Sequence, residues 1–138
     1  MPSWPPATAE QRVAQARVGR LATVTADGHP HVVPVCFAFH AGRIYTAVDA
    51  KPKTTRTLAR LENVRATGRA ALLVDHYEED WERLWWVRVD GAAAVVESAP
   101  AIAALAAKYD QYRAQRPDGP LIAITPERWR SWAASTSA

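Results

Sequence analysis

The chain has 138 residues, of which 49% are apolar and 22% charged, and its net charge at pH 7 is +3. This composition is typical of a soluble globular domain and excludes a disordered or collagen-like chain. The single cysteine, Cys36, excludes an intramolecular disulfide, and no apolar run is long enough to span a bilayer. We therefore expect one cytoplasmic domain over residues 1–138, with residues 1–7 flexible and no membrane contact.

The spacing of apolar residues predicts three helices and six strands. In chain order these are a helix over 8–18, strands over 20–26, 31–40 and 44–48, a helix over 54–64, strands over 69–75 and 84–97, a helix over 101–112 and a strand over 120–125. Residues 76–83 are predicted to form an acidic loop, and 126–132 a short terminal turn or helix.

Local signals refine this pattern. Thr8 has capping-box spacing with Gln11, and Asp27-Gly28 is typical of a hairpin turn. Pro34 cannot donate to a ladder, so it indicates a sheet edge, a bulge or exposed backbone, and Gly91 predicts a bulge in its strand. Strands joined by hairpins, without regular strand–helix alternation, predict a mainly β fold: a small antiparallel barrel with a few flanking helices.

The segment 49–60 carries cations where a helix normally has anions. Lys51, Lys53 and Arg56 crowd the amino end of the predicted 54–64 helix, and Thr54 or Thr55 can serve as its N-cap. That end carries partial positive charge and unpaired N–H groups, so a phosphate between the cations would resolve the conflict. The alternative is a solvated charged turn. Because the positive charge is concentrated in this short segment, a small anionic ligand is favoured over nucleic acid.

Other candidate sites have weaker patterns. His29 and His31 share a strand face but have no third ligand at motif spacing, so we expect no metal site. Cys36 lies mid-strand, where a structural role is favoured over a nucleophilic one. The carboxylates of 75–82 lack the pattern of a calcium loop and indicate a solvated loop that can face a basic patch of a neighbouring subunit.

Trp85 and Trp86 are adjacent on a predicted strand, so they point to opposite faces of the sheet. At most one joins the core, and the other faces a surface, a subunit interface or a flat heteroaromatic ligand. The sequence thus has a candidate phosphate-binding segment and tryptophans that can stack on a ligand, but no catalytic pair of residues. This combination indicates an enzyme whose cofactor performs the chemistry. It fits a non-catalytic ligand-binding module equally well.

The order of motifs resembles the pyridoxamine 5'-phosphate oxidase-like (flavin-reductase-like split-barrel) superfamily. The resemblance rests on the hairpin 20–35, on Asp49–Arg56, on Leu73–Trp81 and on Leu84–Gly91, and it extends from about Arg12 to Trp132. These segments are similar to an actinobacterial branch described as probable coenzyme F420-dependent oxidoreductases.

This resemblance implies a six-stranded split barrel that works as a homodimer with two cofactor sites at the subunit interface. In such relatives, basic residues at the start of the helix after the third strand hold the cofactor phosphate. The implied cofactor-binding residues are Lys51, Lys53, Thr54, Thr55 and Arg56 for the phosphate, Val33, Pro34 and Val35 for the ring, and Trp85 or Trp86 of the partner for closure of the pocket.

The chemistry implied is hydride transfer between F420 and a small electron-poor organic substrate, with FMN as the alternative cofactor. No side chain is assigned as a proton donor, so the catalytic residues stay unknown. The short chain lacks the additional carboxy-terminal elements of true pyridoxamine-phosphate oxidases, which argues against oxidation of vitamin B6. A cofactor carrier without turnover is the third possibility.

Overall fold

The computed structural model describes residues 3–48 and 55–135, which form four α-helices and seven β-strands. The elements are α1 (Pro6–Gln15), β1 (Gly19–Val24), β2 (Pro30–Val35), β3 (Ala38–His40), β4 (Arg43–Ala47), α2 (Thr55–Thr67), β5 (Arg69–His76), β6 (Trp85–Val96), α3 (Ala99–Lys108), α4 (Asp110–Ala114) and β7 (Leu121–Ala133). A one-turn 3₁₀-helix, Trp81–Arg83, precedes β6.

All seven strands in the described ranges belong to one curled antiparallel sheet, in the order β2-β1-β5-β6-β7-β4-β3. The two edge strands, β2 and β3, are consecutive in the chain yet are not paired with each other. The barrel is therefore split, and residues 36–37 cross the open seam. This confirms the predicted mainly β split barrel.

The predicted count of six strands is wrong because the run 31–40 forms two strands. Its first half pairs with β1, and its second half pairs with β4 on the other side of the seam. Pro34 lies on an edge strand, where a residue without an N–H costs no ladder bond. The edge position was one of the three alternatives that Pro34 indicated.

The prediction of a turn or helix over 126–132 is also wrong. These residues continue β7, which pairs with β6 from Leu121 to Ala133. The ladder shifts register between Asp90 and Gly91, where β7 carries one extra residue, Glu127. A bulge is thus confirmed at Gly91, although its extra residue lies in β7 and not in the strand of Gly91, and it lets β7 bend around the barrel without ending.

Two helix predictions need correction. The helix α1 begins at Pro6 with no side-chain cap, so the capping box at Thr8 is wrong; proline is favoured at this first position. The predicted helix 101–112 is two helices, because Tyr109 is extended (φ −121°, ψ 126°). Residue Ser98 caps α3 by accepting the Ala101 N–H at 3.2 Å.

The core fills the inside of the barrel and the space beneath α3. Leu21, Phe37, Leu72, Val87 and Ile124 are among its fully buried side chains. In the described part of the chain no helix is long and apolar enough to cross a membrane.

Candidate cofactor-binding site

The open seam of the barrel exposes the outer edge of β2. Among the described strands β2 pairs with β1 alone, so the backbone groups of its other edge are not used by the sheet. Val33, Pro34 and Val35, the residues expected to face a cofactor ring, are the last three residues of this strand. Val35 is buried, and Pro34 is exposed at the edge.

A cavity of about 300 Å³ opens at this seam. Its lining comes from the end of β2, the end of β4, the helix α2 and the corner between α3 and α4. The lining residues are Pro34, Val35, Cys36, Ala47, Arg60, Tyr109, Gln111 and Tyr112. The walls combine aliphatic and aromatic surface with a few polar groups, which is the usual chemistry of a small-molecule site.

The expected phosphate residues lie next to this cavity in the sequence. Ala47 lines it, and the segment 49–54 connects the end of β4 to the start of α2. Lys51, Lys53 and Thr54 lie outside the described residues, as do the side chains of Thr55 and Arg56 in the first turn of α2. Their assignment to a phosphate therefore stays a prediction.

The position of α2 beside the cavity is fixed by a buried polar contact. The Asn63 side-chain amide donates to the Thr23 hydroxyl of β1 at 3.1 Å, and both residues are buried. Leu61 and Val64 pack into the core on the same side of the helix. Gly68, with a φ of +67°, ends the helix by donating its N–H to the Val64 carbonyl.

Tyr109 holds the seam together at the floor of the cavity. Its hydroxyl oxygen accepts a hydrogen bond from the Phe37 N–H at 3.1 Å. The same oxygen lies 3.0 Å from the Phe37 carbonyl oxygen and 2.9 Å from the Arg17 carbonyl oxygen, and its single proton can be donated to one of these two acceptors. Burial raises the pKa of Tyr109 to about 12, so the hydroxyl stays protonated at physiological pH. This contact explains why the helical pattern breaks at Tyr109.

Lys108 lies beside this hydroxyl. Its Nζ donates to the Phe37 carbonyl at 2.9 Å and lies 4.0 Å from the centre of the Phe37 ring. Burial, and secondly the Arg17 charge, lower the pKa of Lys108 to about 8. The sequence analysis did not identify Lys108 and Tyr109 as residues of the site, because both lay inside the predicted 101–112 helix. The change from apolar to polar residues at Asp110 was the local signal that could have indicated the end of this helix.

We expect Tyr109→Phe to lower the free energy of unfolding by about 1–3 kcal/mol, because the buried Phe37 N–H loses its acceptor. Urea denaturation followed by circular dichroism measures the change. Tyr77→Phe is the matched control, since Tyr77 is 73% exposed. Equal stability of the two variants would show that the Tyr109 hydroxyl does not hold the seam.

Trp85 and Trp86 face opposite sides of the sheet, as predicted from strand geometry. Trp85 packs against the core cluster and contacts Trp4, with ring centroids 5.4 Å apart. Trp86 lies on the outer face of the sheet. Within the described chain neither indole lines the cavity at the seam, so a contact of either with the cofactor would have to come from another copy of the chain.

The outer face around Trp86 is an apolar groove of about 390 Å³. Side chains of β1, β2, β5 and β6 form it together with Tyr77, and we call it the outer-face groove. Its lining residues are Arg20, Ala22, Val32, Ala71, Leu73, Asp75, Tyr77, Trp86 and Arg88. Val32 is 61% exposed, although it is a large aliphatic residue.

The histidines are not arranged as a metal site. His29 lies in the hairpin turn, where its Nδ1 is 3.2 Å from the Asp27 carboxylate, whereas His31 is half-buried on β2. Within residues 3–48 and 55–135, no three His, Cys, Asp or Glu side chains are grouped closely enough to hold a metal ion.

The family model for pyridoxamine 5'-phosphate oxidase matches residues 5–133, nearly the whole chain. The chain belongs to the pyridoxamine 5'-phosphate oxidase family. This family membership confirms the superfamily assigned from the sequence motifs.

Two solved structures of this family's fold are similar over almost the whole chain. A conserved hypothetical protein, Rv2991, from Mycobacterium tuberculosis is 24% identical with a TM-score of 0.73, over 95% of this chain and 86% of that one. A FAD-binding protein from Mesorhizobium loti is 21% identical with a TM-score of 0.71, over 94% and 95% of the two chains. At these identities the likeness concerns the fold alone.

A curated relative is much longer than this chain. It is the L-cysteine:1D-myo-inositol 2-amino-2-deoxy-alpha-D-glucopyranoside ligase of Thermomonospora curvata, 29% identical over 129 residues. The match covers 81% of this chain but spans only 30% of the length of that ligase.

Proposed function

We propose that this protein is an oxidoreductase of the flavin type that uses coenzyme F420 to transfer a hydride to or from a small electron-poor organic substrate, with FMN as the alternative cofactor. The observation that carries the proposal is the position of the cavity at the seam. It is lined by Pro34 and Val35 of β2, by Ala47 at the end of β4 and by Arg60 of α2, and in the sequence the cationic segment 49–56 joins the last two elements.

The residues present fit such a cofactor. The edge of β2 offers backbone donors and acceptors to the polar rim of a flat ring, and Tyr112 and Pro34 provide apolar walls. Lys51, Lys53 and Arg56, with the Thr54 and Thr55 hydroxyls, would bind the phosphate at the start of α2. The cavity of about 300 Å³ would hold the ring end of the cofactor, and the cationic residues would bind its phosphate-bearing tail.

The bound cofactor would supply the hydride chemistry, and the chain would bind, orient and shield it. Tyr109 and Lys108 fix the floor of the cavity through Phe37, which keeps the edge of β2 in place for the ring. Cys36 lines the cavity, and we assign no proton donor.

Titration of the purified protein with F420 and with FMN, side by side, tests the proposal. We expect saturable binding of F420 in the micromolar range by fluorescence and weaker binding of FMN. Protein that remains yellow through purification and binds FMN more tightly would select the alternative cofactor. Binding of neither cofactor would refute the proposal.

The FAD-binding relative from Mesorhizobium loti is named for binding alone, which keeps a non-catalytic cofactor carrier as the second candidate. The two candidates differ in turnover. A reductase oxidises reduced F420 in the presence of a suitable enone or quinone, whereas a carrier binds F420 tightly and shows no turnover across a broad panel of such acceptors.

We further propose that the protein is a homodimer and that the outer-face groove is its interface. In this groove Val32 is exposed, whereas Leu73 and Trp86 are half-buried. Contiguous exposed apolar surface of this kind marks interaction sites. A dimer would also allow the partner to bring a tryptophan to the cofactor, which is the role that the resemblance implies for Trp85 or Trp86.

The charges around the groove favour a second copy of the same chain as the partner. The loop after β5 is acidic, with Glu78, Glu79, Asp80 and Glu82, whereas the outward positions of β6 and β7 carry Arg88, Arg128 and Arg130. In a twofold dimer each acidic loop can face the partner's arginines, so the same surface is self-complementary.

Val32→Glu should therefore convert the dimer into a monomer and weaken cofactor binding, because it places a charge in the apolar lining of the groove. Sedimentation velocity measures the first effect and cofactor titration the second. Val18→Glu is the control: Val18 is 45% exposed but does not line the groove. A wild-type chain that sediments as a monomer with full cofactor binding would exclude the dimer.

A further inference from the structure

A second cavity, of about 500 Å³, lies at the start of β6 and shares no lining residue with the cavity at the seam. Two indoles form part of its wall: Trp4, in front of α1, and Trp85, with ring planes inclined by 55°. The Trp4 backbone N–H donates to the Ser131 hydroxyl of β7 at 2.9 Å. This hydrogen bond attaches Trp4 to the barrel through a residue that is distant in sequence.

A guanidinium faces this cavity from α1. The Arg12 Cζ lies 4.8 Å from the centre of the Trp4 ring and 5.6 Å from that of Trp85. These cation–π contacts hold the guanidinium at the cavity wall through its charge and leave N–H donors for an anion. No carboxylate of the described residues forms an ion pair with Arg12, whereas Arg83, the other arginine that lines this cavity, has one.

The remaining lining supports an anion with an apolar body. Arg83 provides a second cation, with its Nε 3.6 Å from the Glu78 carboxylate, which also contacts His76. Leu84 and the rings of Trp4 and Trp85 provide apolar surface. Among the described residues Glu82 is the single carboxylate that lines the cavity; because Glu78 pairs with Arg83, Arg12 is the cation that remains for an anion.

We propose that this cavity binds a small organic carboxylate, with the carboxylate on Arg12 and the apolar body against Trp85 and Leu84. A charge-assisted, bidentate contact of this kind is the geometry in which a guanidinium recognises carboxylates. The site is separate from the proposed cofactor site and does not depend on it. Simple carboxylic acids and apolar amino acids share the required chemistry, and Glu82 would be the partner for the ammonium group of an amino acid.

Three probes of equal size test the charge requirement: 3-phenylpropionate, 3-phenylpropanamide and 3-phenylpropylamine. We expect 3-phenylpropionate to bind and to shift two of the tryptophan indole N–H resonances in NMR spectra, with the amide roughly tenfold weaker or more. Binding of the amine as tightly as the carboxylate would overturn the proposal. L-Phenylalanine distinguishes the two classes of ligand. If it binds more tightly than 3-phenylpropionate, the ligands are amino acids; if it binds more weakly, they are simple carboxylic acids. In both cases the carboxylate is the group that Arg12 binds.

Arg12→Gln should weaken 3-phenylpropionate binding roughly tenfold or more, whereas Arg65→Gln on α2 should leave it unchanged. Because Arg12 also packs on the indoles, near-UV circular dichroism is used to check that the variant is folded. Arg83→Gln is a second variant that removes a positive charge from the cavity and does not disturb the packing of Arg12 on the indoles. Unchanged binding in both cavity variants would refute the site. Protein saturated with F420 or FMN should bind 3-phenylpropionate equally well, and competition between them would contradict two separate sites.

Discussion

Lys53→Ala and Arg56→Ala are each expected to weaken cofactor binding roughly 10- to 150-fold, which corresponds to about 1.5–3 kcal/mol for a lost charge-assisted hydrogen bond. The reason is their place at the amino end of α2, where a phosphate would satisfy both the cations and the N–H groups of the first turn. Isothermal titration with F420 and with FMN measures the loss, and the stability of each variant should stay close to that of the wild type.

Arg65→Ala is the matched control for these variants. Arg65 lies in the last turn of the same helix, where its guanidinium pairs with Glu62 at 3.3 Å on the exposed surface. Removing it changes the net charge by the same amount but leaves the start of α2 intact. If all three variants bound the cofactor equally well, the phosphate assignment of segment 49–56 would have to be abandoned.

The largest effect on stability is expected from Gly91→Ala. A Cβ at this position would lie 1.9 Å from the Thr125 carbonyl oxygen and 2.9 Å from the Thr125 carbonyl carbon, both backbone atoms that cannot rotate away. We expect a loss of about 3 kcal/mol or more in the free energy of unfolding, a large share of the total for a domain of this size. Urea denaturation of wild type and variant measures it.

Gly119→Ala provides the comparison for this substitution. A Cβ at Gly119 would lie 3.5 Å from the Val48 carbonyl oxygen, an ordinary contact distance, so this variant should differ from wild type by only about 0.5 kcal/mol. A Gly91→Ala protein as stable as Gly119→Ala would mean that the bulge between β6 and β7 can relax without cost.

Much of the fold follows from local sequence signals. The alternating strands, the Asp27-Gly28 turn and Gly91 predicted an antiparallel barrel and its bulge, because side-chain period and turn chemistry act over a few residues. The errors occurred where distant residues decide. Tyr109 breaks a helix because its hydroxyl reaches Phe37 and Arg17, and residues 126–132 extend because β6 is there to pair with them.

The candidate site divides in the same way. The phosphate-binding hypothesis for Lys51, Lys53 and Arg56 came from their positive charges at the amino end of a predicted helix, which itself carries partial positive charge. This conflict involves only neighbouring residues and is therefore visible in the sequence. The cavity beside it could not be foreseen, since it is lined by residues from positions 34 to 112 that meet only after the barrel closes. The opposite orientation of Trp85 and Trp86 was predictable, but the partners of each were not.

By itself, the sequence determined the fold class, the family and the position of the cationic segment ahead of α2, because each depends on residues close together in the chain. Tertiary structure alone decided where the seam opens, which groups line it, and that Arg12 lies over two adjoining indoles in a separate cavity. These features arise from contacts between residues distant in sequence, whose side chains are brought together by the closure of the sheet and not by any local preference.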